Sequence, residues 1–372
     1  MTIPYQHRPT RRELLALMGA GAAASLIGRT DLDAQELDPR INQIIARTIA
    51  VDMHNHIRYS VERDPAKPRP ADPTADVVGE LKRSGFSAIC ANYALDGSSG
   101  PGEGWPGDAK VGEYYRFHKE YMDYYDRLLV AQKIRKALNM KDLQAAKAAS
   151  APIIIQDSEG IQWLEGKVDR LQEAYRRGAR KLQLVHFAPD IVSPIGDAQA
   201  RPAVGGFTPF GASVIKECNR LGIVVDLAHG GFELVKGAAK VATQPFLVSH
   251  TAMDTATGRG TTSDNLRPRL LSREHAKIVA DSGGVIGIWN LFPTMKGYVT
   301  AVREMIDTVG IDHVGIGSDT GIADSTNKKW PDQNGGFMYA VGSEMLRQGF
   351  TPAEVSKVAG ENFCRVFAKV TA

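Results

Sequence analysis

The 372-residue sequence has little cysteine, little excess charge and no long apolar run, and each shortage removes a class of protein. Its three cysteines, Cys90, Cys218 and Cys364, lie far apart and form no C-x-x-C pair, which argues against a cysteine-ligated metal site or a disulfide framework. They read instead as small buried apolar residues. The 45 basic and 42 acidic residues leave a formal charge of +3, with no basic block and no stripe interleaved with aromatics. A nucleic-acid surface needs concentrated positive charge, so nucleic acid is not expected as a partner. No G-x-G-x-x-G follows the first β-like run, and the glycines at 204–206 and 315–317 lack the turn-to-helix setting of a dinucleotide site. A nicotinamide-dependent oxidoreductase is set aside on that ground. What remains, 43% hydrophobic and 23% charged, is the composition of a folded globular chain long enough for one large α/β domain.

Residues 10–28 read TRRELLALMGAGAAASLIG, an arginine pair (Arg11, Arg12) before a short run rich in alanine and glycine. From Leu14 to Gly28 this run is too short for a comfortable transmembrane span. A charged stretch ahead of a short apolar one has the form of an export signal, and the T-R-R-x-L-L core resembles signals of the twin-arginine route. LDAQ offers a small residue for cleavage near Ala34. The expectation is an export signal over 1–34 that engages the export machinery, one domain over 35–372, and an exported, periplasmic location. A basic amphipathic helix on a cytosolic protein is the other reading of the same stretch. The twin-arginine route carries folded proteins, often with cofactors already loaded, which suits a metalloprotein.

Downstream, β-like runs alternate with helical patterns without a Gly/Ser linker. The runs are 48–54, 86–92, 152–157, 181–187, 223–229, 245–250, 284–290 and 313–319, with helices predicted over 159–178 (Gly178 as C-cap) and 209–221. Apolar, mostly continuous strands separated by helices imply a parallel sheet buried on both faces, and eight of them fit a single (β/α)₈ barrel of the TIM type. A doubly wound open sheet is the alternative. The inserts at 93–150 and 188–208 read as loops, the first with helical pieces.

Five of the nine histidines fall at or just beyond the C-terminal ends of these runs: His54, His56, His186, His229 and His250. Glu159 follows the third run and Asp319 ends the eighth. In a barrel these ends converge on one mouth, where active sites are built. Imidazole and carboxylate donors converging there are what a zinc-like cation needs. A lone histidine at a strand end is usually a hydrogen-bonded structural residue, so the signal lies in the constellation.

These residues also resemble a family, the membrane (renal-type) dipeptidases and their bacterial relatives within the amidohydrolase superfamily, over nearly the whole mature chain. His54-Asn55 is similar to the start of the family's H-N-D motif, Glu159-Gly160 to its E-G pair, and His186 in LVHF to the histidine of its L-T-H segment. GFTPFG at 206–211 is close to G-L-T-P-F-G. NRLGIVVDLAH (219–229) followed by VSH (248–250) matches N-x-L-G-x-x-x-D-x-x-H and S-H. VGIGSD (314–319) resembles V-G-I-G-S-D-F-D-G, and GENFCRVF (360–367) the G-x-N-x-x-R-V-F ending.

The resemblance implies a metallo-dipeptidase with two divalent metal ions, expected as zinc. Glu159 would bridge them, His54 and His56 would bind one, and His229 and His250 the other. A bridging hydroxide would be the nucleophile, since two cations depress the pKa of water. His186 would donate to the oxyanion, and Asp319 would carry the proton from the hydroxide to the leaving amine. Arg269, in PRLLS (268–272), falls where the family holds the substrate carboxylate, with Arg259 and Arg267 as nearby competitors. A homodimer is common among relatives.

Two departures stand out. His56 replaces the aspartate of H-N-D, which removes a negative charge while keeping a good zinc ligand; if it pointed away, one ion would bind instead of two. The family's D-F-D-G becomes DTGIAD, and Leu270 stands where asparagine is common. Both changes lie near the expected substrate cavity. An amidohydrolase acting on N-acyl amino acids, another amide or a lactone therefore stays open, as does a binding protein with a decayed metal site.

Overall fold

The computed structural model describes residues 36–57, 76–96, 111–187, 192, 194–199, 204–255 and 269–372. The expected export signal, Arg259 and Arg267 lie outside these residues. Glu36–Ala372 forms one compact unit. Among the described residues no helix is long and apolar enough to cross a membrane.

The eight expected strands all form, each within or beside its predicted run: β1 (Val51–Asn55), β2 (Ala88–Ala91), β4 (Ile153–Gln156), β5 (Lys181–Gln183), β6 (Val224–Asp226), β7 (Leu247–Thr251), β8 (Val285–Ile288) and β9 (Val314–Ile316). A ninth, β3 (Arg135–Lys136), is only two residues long. With no apolar run to announce it, sequence pattern passes over it. The order is β3-β4-β2-β1-β9-β8-β7-β6-β5, and every pairing is parallel.

β3 occupies only the N-terminal end of the free edge of β4. At the other end, single parallel bridges, Gln156–Ala179 and Glu159–Gln183, tie β4 and the chain just beyond it to β5. The amides of Arg180 and Gln183 donate there to the carbonyls of Gln156 (3.2 Å) and Ser158 (3.1 Å). The two ends of the sheet thus meet, as a (β/α)₈ barrel requires. The open doubly wound alternative has no such bonds.

The strand residues are buried on both faces: Ile153, Ile154, Ile155, Val224, Leu247, Val285, Ile286 and Ile316 expose no more than 1% of their surface. Each such side chain contributes roughly 1.5–3 kcal/mol of apolar burial. The helix Pro209–Leu221 forms as predicted: Thr208 accepts from the Gly211 amide, proline stands in the first turn, and Gly222 ends it at φ +80°. Cys90 and Cys218 are buried, Cys364 is partly buried, and all three are free thiols.

The predicted helix over 159–178 is corrected. Only Arg170–Arg176 is α-helical, after a 3₁₀ turn at Gln162–Leu164. Glu159 still belongs to the barrel through its bridge to Gln183, and Gly160 (φ +81°), Glu165 (φ +45°) and Gly166 (φ +77°) turn the chain where a helix would have continued.

Candidate active site

The side chains singled out in the sequence meet at the C-terminal mouth of the barrel. Asp52 in β1 organises the near side. Its Oδ1 accepts from the Ser318 amide (2.9 Å) and its Oδ2 from the Ser318 hydroxyl (2.6 Å) and the Asn55 amide group (2.8 Å). β1 and the end of β9 are thereby clamped together, and the Asp319 amide donates to the His54 carbonyl at 3.0 Å. Asp319 (φ +49°) and His229 (φ +66°) both adopt the left-handed conformation that residues with a Cβ seldom take. Two such residues, both at the mouth, mark a site whose geometry is imposed by its surroundings.

Glu159 is the hub. Its Oε1 lies 3.2 Å from His186 Nε2, 3.3 Å from His229 Nε2, 3.6 Å from His54 Nε2 and 3.8 Å from His250 Nε2. Its Oε2 lies 3.6 Å from His56 Nε2. Asp319 faces the same space, with Oδ1 3.1 Å from His56 Nε2 and 3.5 Å from His54 Nε2, and Oδ2 3.9 Å from His250 Nε2. His54, His186, His229, His250 and Glu159 are all buried, whereas the His56 side chain is 36% exposed. His56 therefore points into the site from its solvent side.

Arg269 is brought in as well. Its guanidinium packs over Trp289 (4.0 Å to the ring centre), and Nη2 contacts His229 Nε2 and, at 2.9 Å, His250 Nε2. Leu270 beside it is buried.

These distances bear on proton affinity. Burial alone would lower His54 and His186, but carboxylates overcome it: Glu159 and Asp319 raise His54 to about 9, and Glu159 and Asp96 raise His186 to about 10. Burial and the Arg269 and His186 charges push His229 down to about 3, and His250 is also lowered. Burial pushes Glu159 upward, and the imidazoles around it, His186 and His54 first, outweigh that and hold it ionised.

The donor set fits metal ions. Two groups of donors have their ligand atoms within 4.8 Å of one another: His54, Glu159, His250 and Asp319, and Glu159, His186 and His229. Glu159 belongs to both. His54 Nε2 is buried without a hydrogen-bond partner and faces both carboxylates, and a cation taking the place of its proton would be held by all three groups. This grouping differs from the one implied by resemblance, since it draws His186 towards Glu159 and places His250 with His54.

The sequence model of the membrane dipeptidase family, peptidase family M19, matches residues 39–372. The chain belongs to that family. Among curated relatives, dipeptidase verJ of Clonostachys rogersoniana is 26% identical over 219 residues, which cover 57% of this chain and 54% of that protein. The chain spans about half the length of the curated relatives it matches. Among solved structures, a metallo peptidase from Rhodobacter sphaeroides, liganded with a phosphinate mimic of the dipeptide L-Ala-D-Ala, is similar with TM-score 0.70 at 17% identity. The match covers 87% of this chain and 99% of that one. The probable dipeptidase PvdM of Pseudomonas aeruginosa gives TM-score 0.69 at 17% identity, covering 89% and 98%. At these identities the two structures speak for the fold.

Sequence reading missed Asp96 in this family member. Its Oδ1 lies 2.7 Å from His186 Nδ1, and its Oδ2 accepts from the Phe187 amide at 3.0 Å. Asp96 belongs to a loop after β2 that carries no motif, so it offered no signal. Lys181, Asp157 and Asp226 were also passed over, although DLAH and QDSEG placed two of them within three residues of a candidate ligand.

Proposed function

We propose that this protein is an exported, metal-dependent dipeptidase that hydrolyses a small dipeptide-like amide with a free carboxylate. Two divalent cations, zinc first among them, would be held by His54, His56, Glu159, His229 and His250, with Glu159 common to both. The single observation that supports this most is the sharing of one buried carboxylate by two donor groups at the barrel mouth. Such cations supply hydroxide near neutral pH and polarise the scissile carbonyl.

The other residues have separate tasks. Arg269, its guanidinium on the Trp289 ring, pairs with the substrate carboxylate. His186, kept protonated by Glu159 and Asp96, gives Nδ1–H to Asp96 and has Nε2–H to donate to the developing oxyanion. Asp319 stands 3.1 Å from His56 and takes a proton that it returns to the leaving amine.

The test is a substrate panel on purified protein supplied in turn with Zn²⁺, Mn²⁺ and Co²⁺. L-Ala-D-Ala is the first substrate to try, because the similar Rhodobacter protein was liganded with a mimic of it. Dipeptide turnover that a chelator abolishes and metal restores is the expected result. The buried Leu270 and the DTGIAD departure favour including N-acyl amino acids and lactones. Turnover confined to those would replace the dipeptidase reading with a wider amidohydrolase one. No turnover with less than one equivalent of bound metal would leave a decayed binding protein.

A further inference from the structure

Beneath the mouth, Lys181, Asp157 and Asp226 form a fully buried cluster: Lys181 Nζ pairs with Asp157 and lies 2.7 Å from Asp226 Oδ2. Ligand atoms of His54, Asp157 and Asp226 lie within 4.8 Å of one another, so this is superficially a third cation site. The ammonium of Lys181 already sits on both carboxylates, so the chain supplies the cation itself. The cluster instead points upward, through Ser249.

The Ser249 amide donates to Asp226 Oδ1 at 2.9 Å, and the Ala228 amide donates to the same oxygen at 3.0 Å. The Ser249 side chain also helps hold Asp226 ionised: burial opposes ionisation, and Lys181 and then Ser249 overcome it. On its other side, Ser249 Oγ lies 3.0 Å from His250 Nδ1 and 3.4 Å from His54 Nδ1. The two imidazoles are packed with ring centres 3.9 Å apart. Ser249 has no freedom to drift. A Cβ added at Gly287 or Gly317 would stand 1.8 or 1.6 Å from the Ser249 carbonyl oxygen, so β8 and the end of β9 press directly on its backbone.

A hydroxyl oxygen has two lone pairs and one proton. We propose that Ser249 is a positioning residue shared by both ion centres: its oxygen accepts Nδ1–H from His54 and from His250, so both rings present Nε2 to Glu159 and Asp319. The inference rests on the metal-centre reading above and on the assignment that the family resemblance implies, His54 to one ion and His250 to the other; by distance alone both fall in one group with Glu159 and Asp319. Its proton is directed towards Asp226, which Lys181 holds in place. A ligating imidazole is oriented by the partner of its other nitrogen, and loss of such a partner commonly costs 10–100-fold in metal affinity. Here one hydroxyl would set two ligands, and its loss would weaken both ions together.

The test compares wild type with Ser249→Ala and Ser249→Thr by competition with a chromophoric chelator, bound-metal analysis and melting temperature of the metal-free protein. The expected result is two ions in wild type, affinity for both reduced roughly 10–100-fold in S249A, and near-normal loading in S249T, which keeps the oxygen. S249A with undiminished affinity, or with a loss confined to one ion, overturns the proposal alone. So does S249T as weak as S249A at an unchanged melting temperature. Wild-type protein that binds no ion overturns the metal-centre reading and the proposal with it.

Discussion

Two clusters of buried charge share the interior of this barrel and are built on opposite plans. The lower one sets Lys181 against Asp157 and Asp226, so each charge has its partner within the chain. The upper one gathers imidazoles around Glu159 and Asp319 and leaves His54 Nε2 buried with no hydrogen-bond partner. Their backbones differ as well. Lys181 and Asp226 sit in regular strands, while His229 and Asp319 lie past strand ends in left-handed conformations. A buried cluster whose carboxylates already share an ammonium of the chain is a scaffold, because breaking it would strand a buried charge. One whose lone pairs converge is built for cations, and the first holds the second in position.

The sharpest way to break this contrast is Asp319→Asn. The amide keeps the shape and cannot shuttle a proton, so the maximal rate should fall about 10²–10⁴-fold while bound metal stays near the wild-type amount. Steady-state kinetics with metal analysis checks both halves. An active variant removes Asp319 from proton transfer, and a metal-depleted one makes it a ligand. Next in size is Lys181→Met, which leaves two buried carboxylates facing each other without their cation. Urea unfolding should show a loss of about 3–5 kcal/mol. A loss well under 1 kcal/mol would mean that the lower cluster is not held together as an ion triad.

Arg269 tests whether the upper cluster also reads the substrate. Arg269→Lys keeps the charge but loses the planar fork and its stacking on Trp289. For a dipeptide with a free carboxylate, KM should rise about 10–100-fold with kcat little changed, the scale of a lost charge-assisted pair. The amidated dipeptide should lose far less. Equal losses on both substrates would assign Arg269 to the histidines it touches, His229 and His250.

The upper cluster was largely legible in the sequence and the lower one was not, for a physical reason. Ligands at a barrel mouth must stand at strand ends, so His54, His229, His250 and Asp319 come in register with runs of apolar residues that announce themselves. Lys181 opens β5 and Asp226 closes β6, both within runs where the expected residue is apolar, and their meaning appears only when β5 and β6 pair Lys181 beside Val224 and Gln183 beside Asp226. Asp96 reaches His186 from a loop 90 residues away, a contact that no spacing encodes. The Glu159–Gly178 stretch misled because a helical composition was interrupted by left-handed turns at Gly160, Glu165 and Gly166. The strand pattern carried the barrel, and the loops that trim the site carried none of it.

A third buried polar group, His118, lies outside both clusters and serves as their control. It sits on the helix Glu113–Gln132, stacked on Trp163 with ring centres 3.8 Å apart, and its Nδ1 is 2.6 Å from the Tyr93 hydroxyl. Burial first, then the Arg177, Arg170 and Lys119 charges, push it down to about 3. The ring is therefore neutral in the folded protein, and Tyr93 O–H donates to it. In the unfolded chain it titrates near 6.5. Between those values the unfolded state binds the extra proton, so His118 costs stability as pH falls from about 6.5 towards 3, by up to about 1.4 kcal/mol per pH unit. His118→Phe keeps the stack, cannot take a proton and forfeits one hydrogen bond. At pH 7.5 the variant should be about 1 kcal/mol less stable than wild type. By pH 5 that deficit should vanish or reverse, and urea midpoints at pH 7.5, 6 and 5 would measure it. A chelator should not move the difference between the two proteins at any of these pH values, because His118 has its partner in Tyr93 and owes nothing to a cation. Parallel stability curves would mean that His118 binds its proton equally in the folded and unfolded chains, and that burial in this barrel does not by itself neutralise an imidazole.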